Sequence, residues 1–131
     1  MSFEKFAEGQ MIIISINTGN FDFVSIDSAL EFVAKVANEK DDIWISGEEK
    51  YPCMAVCING EYAAVNYFQN DTGEMWLSYS EDNHKEITFN AGGEEWTPDI
   101  NAVIKLNDMF SCIREFLLTY KRPSCIKWKK L

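Results

Sequence analysis

The hydrophobic pattern of the chain changes period several times, and each change marks an element. MIIISI, from Met11 to Ile16, is a β-branched run that predicts a buried strand. Asn17-Thr18-Gly19-Asn20 follows as a turn. From Ser25 to Lys40 the period becomes helical: Ala29, Val33, Val36 and Ala37 share one face, and Leu30 and Phe32 widen it. Ser28 followed by Glu31 fits a capping box, with Asp27 and Ser25 as alternative caps.

After Asp41-Asp42 the period shortens to two. Asp42 to Ser46 (DIWIS) predicts a short strand that ends at Gly47. Pro52 to Ile58 and Glu61 to Phe68 flank Asn59-Gly60, and Asn-Gly between two β-rich runs predicts a hairpin. Asp71-Thr72-Gly73 is a turn before Glu74 to Ser80, which alternates strictly. Met75, Leu77 and Tyr79 fall on one face of that strand, and Glu74, Trp76 and Ser78 on the other. Glu86 to Asn90 reads as one more short strand, completing an antiparallel meander of four or five. Gly92-Gly93 through Pro98 reads as a loop and Asn101 to Lys105 as extended chain.

The helical period returns from Leu106 to Tyr120. Leu106, Met109, Phe110, Ile113, Phe116, Leu117 and Tyr120 form one apolar stripe, with Asn107 as the expected N-cap. Arg122-Pro123 ends this helix, and Cys125 to Lys129 predicts a last strand. The expected fold class is α+β: one largely antiparallel sheet, in β-α-β meander-α-β order, with two helices packed on one face. No repeat or linker divides the chain, so residues 1–131 are expected to form a single domain.

Composition is ordinary for a globular chain, at 47% hydrophobic and 25% charged. The longest unbroken apolar run is Cys53 to Ile58, far short of a membrane span. The first ten residues, MSFEKFAEGQ, lack the apolar stretch of a secretory signal, so a cytoplasmic location is expected. Charge is where the chain is unusual: 21 acids against 12 bases give a net charge of −9. Residues 1–100 hold 19 acids and 5 bases, whereas residues 101–131 hold 2 acids and 7 bases. An acidic body repels phosphate backbones, which argues against nucleic-acid binding; it serves solubility, as in many acidic cytosolic proteins, or attracts a basic protein. The basic tail, Lys121-Arg122 with Lys127, Lys129 and Lys130, reads as compensation for that body, with lipid or nucleic acid as the other contacts it would suit.

Candidate chemistry is sparse. Cys53, Cys57, Cys112 and Cys125 lack the C-x-x-C spacing of a zinc or redox site, so buried free thiols are expected and no metal. Cys53 and Cys57 fall on one face of a strand. The single histidine, His84, lies in the polar turn Ser80 to Lys85. No G-x-S-x-G, G-x-x-x-x-G-K-S/T or H-E-x-x-H motif is present, and Gly92-Gly93 precedes no predicted helix. Glu94-Glu95-Trp96 sets an acidic pair beside an aromatic, which suits general acid/base work or an exposed acidic loop. Tyr62, Tyr67, Phe68, Trp76 and Tyr79 gather in the meander, fit either for cross-strand packing or for a binding face.

The central hairpin runs from Tyr51-Pro52 through Cys53-Met54-Ala55-Val56-Cys57-Ile58-Asn59-Gly60 to Glu61-Tyr62-Ala63-Ala64-Val65-Asn66-Tyr67-Phe68. The C-terminal third carries Val103-Ile104, a helix, Phe116-Leu117-Leu118-Thr119, Arg122-Pro123 and Ile126-Lys127-Trp128. In order and spacing, residues 42–131 resemble Imm1-type immunity proteins, which accompany bacterial polymorphic toxins and often face deaminase-fold warheads. That family often has a glycine just before the basic residue and proline, where this chain has Tyr120-Lys121.

The resemblance implies a non-enzymatic immunity protein, without cofactor. It would bind and neutralise a cognate, basic toxin domain that acts on nucleic acid as a deaminase or nuclease. Candidate toxin-binding residues are Glu48 and Glu49 in the Gly47–Lys50 turn, Glu61 beside the hairpin, Asp71, Glu74, Glu94, Glu95 and Trp96, with Trp76 as an aromatic anchor. The alternatives are a small cytosolic ligand-binding domain or enzyme built on the His84 and Glu94 loops, and an adaptor that adds a partner's strand at its sheet edge.

Overall fold

The computed structural model describes residues 11–37 and 42–131. A hairpin of β1 (Ile12–Ile16) and β2 (Gly19–Phe23) leads into helix α1 (Ile26–Val36). Strands β3 (Asp42–Ser46), β4 (Cys53–Asn59), β5 (Tyr62–Phe68) and β6 (Met75–Tyr79) follow as a meander. A separate small hairpin pairs β7 (Phe89–Ala91) with β8 (Glu94–Trp96). A 3-10 turn, Ile100–Ala102, leads to β9 (Ile104–Lys105), helix α2 (Leu106–Thr119) and strand β10 (Lys127–Lys130).

The main sheet runs in the order β10-β6-β5-β4-β3-β1-β2, with β9 against the start of β5, and every pairing in it is antiparallel. Its isoleucine-rich face, with Ile12, Ile14, Ile43, Ile45, Met54, Val56, Val65 and Tyr67, is buried against Ala29 and Val33 of α1 and Met109, Ile113, Phe116 and Leu117 of α2. This is an α+β fold with both helices on one face of the sheet. In β3 and β4 alternate residues turn inward, Ile43 and Ile45 with Met54, Val56 and Ile58, because a sheet covered by helices on one face buries every second side chain against them. In β6 the face read as apolar, Met75, Leu77 and Tyr79, turns away from the helices instead.

Several local expectations are corrected. The chain after Asn17 does not run straight into the helix; Gly19-Asn20-Phe21-Asp22-Phe23 turns back along β1 as an edge strand that is mostly exposed. Its apolar side is only two residues long, Phe21 and Phe23 against Phe32 of α1, and it follows directly on the turn signal Asn17–Asn20, so it is too brief for a hydrophobic-period reading. The first helix is capped by Ser25, whose hydroxyl accepts from the Ser28 N–H at 3.3 Å, and its predicted last residues, 38–40, lie outside the described residues. In the central hairpin Asn59 pairs with Tyr62, so Gly60-Glu61 is the two-residue loop rather than Asn59-Gly60. Only Gly60, at φ +64°, needs left-handed backbone there, and the Asn59 side chain instead donates to the Thr88 carbonyl at 2.8 Å. Gly92-Gly93 is the tight turn of β7–β8 rather than the start of a loop, and β7 leaves the main sheet instead of extending the meander. The N-cap of α2 is Lys105, not Asn107, and no side chain caps it.

Ser78 shows why a polar residue sits on the helix-facing side. β5 changes neighbour along its length, pairing with β9 at Tyr62 and Ala63 and with β6 from Asn66 to Phe68. The Ser78 hydroxyl, 1% exposed, fills the gap: it accepts from the Val65 N–H at 3.0 Å and donates to the Ala102 carbonyl at 2.7 Å. Ser78→Ala leaves two buried backbone groups unmatched and is expected to cost about 1–3 kcal/mol, read as a lowered urea midpoint at unchanged slope.

The end of α2 is held from outside. Glu115 accepts from the Ser124 N–H at 2.7 Å, the Ser124 hydroxyl at 2.9 Å and the Cys125 N–H at 3.2 Å. Burial pushes its pKa up, but the hydrogen bonds outweigh burial and hold it below the ordinary carboxylate value. A carboxylate lowered in the folded state adds stability that is complete above its unfolded pKa of about 4.3 and is lost as pH falls through the lower folded value. Glu115→Gln is therefore expected to be less stable than the parent at about pH 7, and the gap should close by about pH 3 in urea unfolding.

The residues after α2 are structural as well. Tyr120 takes left-handed backbone at φ 51°, the conformation a C-terminal glycine normally supplies. Its ring lies 5.3 Å from Phe116 and fills the space over Gly47, where a Cβ would come within 2.6 Å of ring carbons. Pro123 is buried, and its carbonyl accepts from the Trp128 indole N–H at 2.7 Å.

Candidate functional site

Pairing register locates the sheet's second face. Trp44, Ala55, Asn66 and Leu77 form one row across β3 to β6, on the side away from the helices. Ser46, Cys53, Phe68 and Met75 form a neighbouring row at the end from which the β3–β4 and β5–β6 loops leave. Phe89 of β7 covers part of this face, burying Cys57, Ala64 and Val103 beneath it. The rest is an open groove of about 500 Å3, floored by Trp44, Ala55, Asn66 and Phe68 and walled by the β7–β8 turn with Glu94, Glu95 and Trp96.

The floor has an uncommon construction. Trp44 on β3 and Phe68 on β5 are separated by β4, whose residue between them is the small Ala55. Their rings therefore meet across it, nearly parallel at 18°, with centroids 5.4 Å apart. Trp44 nonetheless keeps 46% of its surface exposed. The wall is pinned to the floor because Asp42, the first residue of β3, accepts from the Gly92 N–H through Oδ2 at 3.0 Å. Neither Glu94 nor Glu95 forms an ion pair with any described residue.

Glu94, Glu95 and Trp96 thus lie on the groove, with Trp96 half-buried 6.2 Å from Phe89. Glu48, Glu49, Asp71 and Glu74 are exposed in two loops at the Phe68 end of the same sheet. Glu61 is exposed in the hairpin loop at the opposite end. Trp76 is placed elsewhere. Its strand face, read as the polar one, turns toward the helices, because Ser78 is spent on backbone and not on water. Trp76 packs 5.8 Å from Tyr67, with the Arg122 guanidinium 4.5 Å over its ring and the Lys130 ammonium at 5.5 Å. It is a support of the fold rather than an exposed anchor.

Trp44 was not among the sequence candidates, although DIWIS carries the signal. With Ile43 and Ile45 inward, Trp44 must project from the other face, between Asp42 and Ser46.

The groove offers little for catalysis. Burial, reinforced by Asp42, pushes the Cys57 thiol up to about 12, so it is no nucleophile near neutral pH. His84 lines a different pocket of about 520 Å3 with Tyr62, Asp82 and Asp108, and that pocket shares no residue with the groove. No hydrogen bond or ion pair orients the His84 ring among the described residues. The His84 and Glu94 loops therefore line separate pockets. Among the described residues no group of three or more His, Cys, Asp or Glu side chains is gathered to hold a metal ion.

The basic tail pairs partly with the acidic body, Lys127 with Glu81 at 3.6 Å, and its lysines line the exposed edge strand β10. No helix among the described residues is long and apolar enough to cross a membrane. The chain matches no protein-family model and no curated protein sequence.

Proposed function

We propose that the chain is a non-enzymatic immunity protein of the Imm1 type, acting in the bacterial cytoplasm. It binds a cognate toxin domain whose substrate is nucleic acid and blocks it. The observation that carries this reading is the groove on the helix-free sheet face. A half-exposed tryptophan stacked on Phe68 supplies an apolar anchor, and Glu94 and Glu95 stand beside it without a described cationic partner. Interfaces draw their affinity from such aromatic anchors and their capture rate from opposite charge. An enzyme that grips a phosphate backbone has a basic cleft, and a net charge of −9 on the inhibitor suits it. The resemblance of residues 42–131 motivates the reading, and three positions that carry it, Arg122, Pro123 and Trp128, have structural roles.

The test is co-expression of the chain with the toxin-like domain encoded next to it. Growth restored by the parent protein is the expected result. Toxicity unchanged, with both proteins present at comparable levels, would contradict the reading.

A further inference from the structure

We propose that the groove over Trp44 is an arginine site: it takes the guanidinium of one arginine presented by a basic protein partner. This rests on the reading of that face as a protein-docking surface and names the side chain that enters it.

The floor selects a flat cation. Phe68 holds the Trp44 indole on one side at 5.4 Å and 18°, while 46% of Trp44 stays exposed. A guanidinium is planar and weakly hydrated, so it stacks on such a surface, whereas the compact, strongly hydrated ammonium of lysine gains less. The protein already makes this contact internally, with Arg122 centred 4.5 Å over the Trp76 ring.

The wall supplies the charge. Glu94, on the same face of β8 as Trp96, stands at the edge of the floor with Glu95 next to it, and their charge favours the N–H groups around a stacked guanidinium's rim. Asn66, half-buried in the floor, adds an amide oxygen that can accept.

Other occupants fit less well. A nucleotide would bring phosphate against Glu94 and Glu95. A second copy of the chain has only Arg114 and Arg122 to offer. The first is paired with Asp27 at 3.6 Å and the second lies on Trp76. The groove's open form suits a side chain carried on a loop rather than an enclosed metabolite.

The experiment titrates the protein with three blocked tripeptides, Gly-Arg-Gly, Gly-Lys-Gly and Gly-citrulline-Gly, at low salt. It follows the four indole N–H signals by NMR, with Trp44 assigned from Trp44→Phe. The expected result is a saturable shift centred on Trp44, roughly threefold tighter for arginine than for lysine, and absent for uncharged citrulline. It should be weakened in Glu94→Gln/Glu95→Gln, a surface double variant that keeps the reporting indole; in Trp44→Ala, which lacks it, the backbone amide shifts of Asn66 and Phe68 on the groove floor should no longer saturate. Equal responses to arginine and lysine, shifts centred on another tryptophan, or no saturable shift would overturn the proposal. If the arginine peptide binds as expected but the toxin domain does not, the immunity reading fails and the site stands. If the toxin domain binds while the groove ignores arginine, the site fails and the immunity reading stands.

Discussion

Tyr67→Ala is expected to destabilise the protein by about 4 kcal/mol, within the range for truncating a buried aromatic, and to lower Tm by roughly 15 °C. Tyr67 is 1% exposed and is among the largest fully buried side chains of the core. Its ring lies 5.8 Å from Trp76, 6.2 Å from Phe116 and 6.2 Å from Trp128, so it joins β6, α2 and β10 at one point. Alanine there opens a cavity that three large rings on different elements cannot all collapse into. The hydroxyl matters less: it donates to Gln69 Oε1 at 2.9 Å, so Tyr67→Phe should cost only about 1 kcal/mol. Urea unfolding of both variants measures the contrast. A Tyr67→Ala midpoint close to the parent's would mean that this aromatic junction does not hold the sheet edge to α2.

Trp44→Ala is expected to act differently, leaving the protein folded and removing most of the toxin affinity. At 46% exposure about half of the indole is buried, so its loss should cost about 2 kcal/mol of folding free energy, about half the cost of Tyr67→Ala. A tryptophan at the centre of an interface is worth about 2–4 kcal/mol on truncation, which is roughly 30- to 1,000-fold in Kd. Phe68 should follow with a smaller loss, because it holds the indole in place from below. Calorimetric titration beside a melting curve separates the two quantities. Weakened binding with a Tm loss as large as that of Tyr67→Ala would assign Trp44 to the fold instead of the interface.

Much of the architecture was legible because it rests on local alternation. DIWIS became β3 with the bounds read from its pattern, and the stripe from Leu106 to Tyr120 became α2. What escaped had too little periodic signal. Strand β2 is a short, mostly exposed edge whose apolar face is only Phe21 and Phe23, directly after the turn-like Asn17–Asn20. The β7–β8 hairpin is three residues a side and is stabilised by contacts with β4, which lies far away in sequence. The candidate site was half legible. Glu94, Glu95 and Trp96 stood out as an acidic pair beside an aromatic, but the groove needs Trp44, Phe68 and the Asp42–Gly92 bond, which spans fifty positions. Trp76 misled for a related reason: Ser78 marks its strand face as polar, and only the change of partner along β5 reveals that this polarity is internal.

The central claim is that the helix-free face captures a basic toxin domain. The most direct test titrates the purified toxin domain encoded next door into the parent protein and into Trp44→Ala combined with Glu94→Gln and Glu95→Gln, at about 50 mM and about 500 mM salt. A 1:1 complex is predicted, with slower association in high salt and an affinity at least about 100-fold weaker in the triple variant. A triple variant that binds as tightly as the parent, with the same salt response, would contradict the account and move the interface to another face of the sheet.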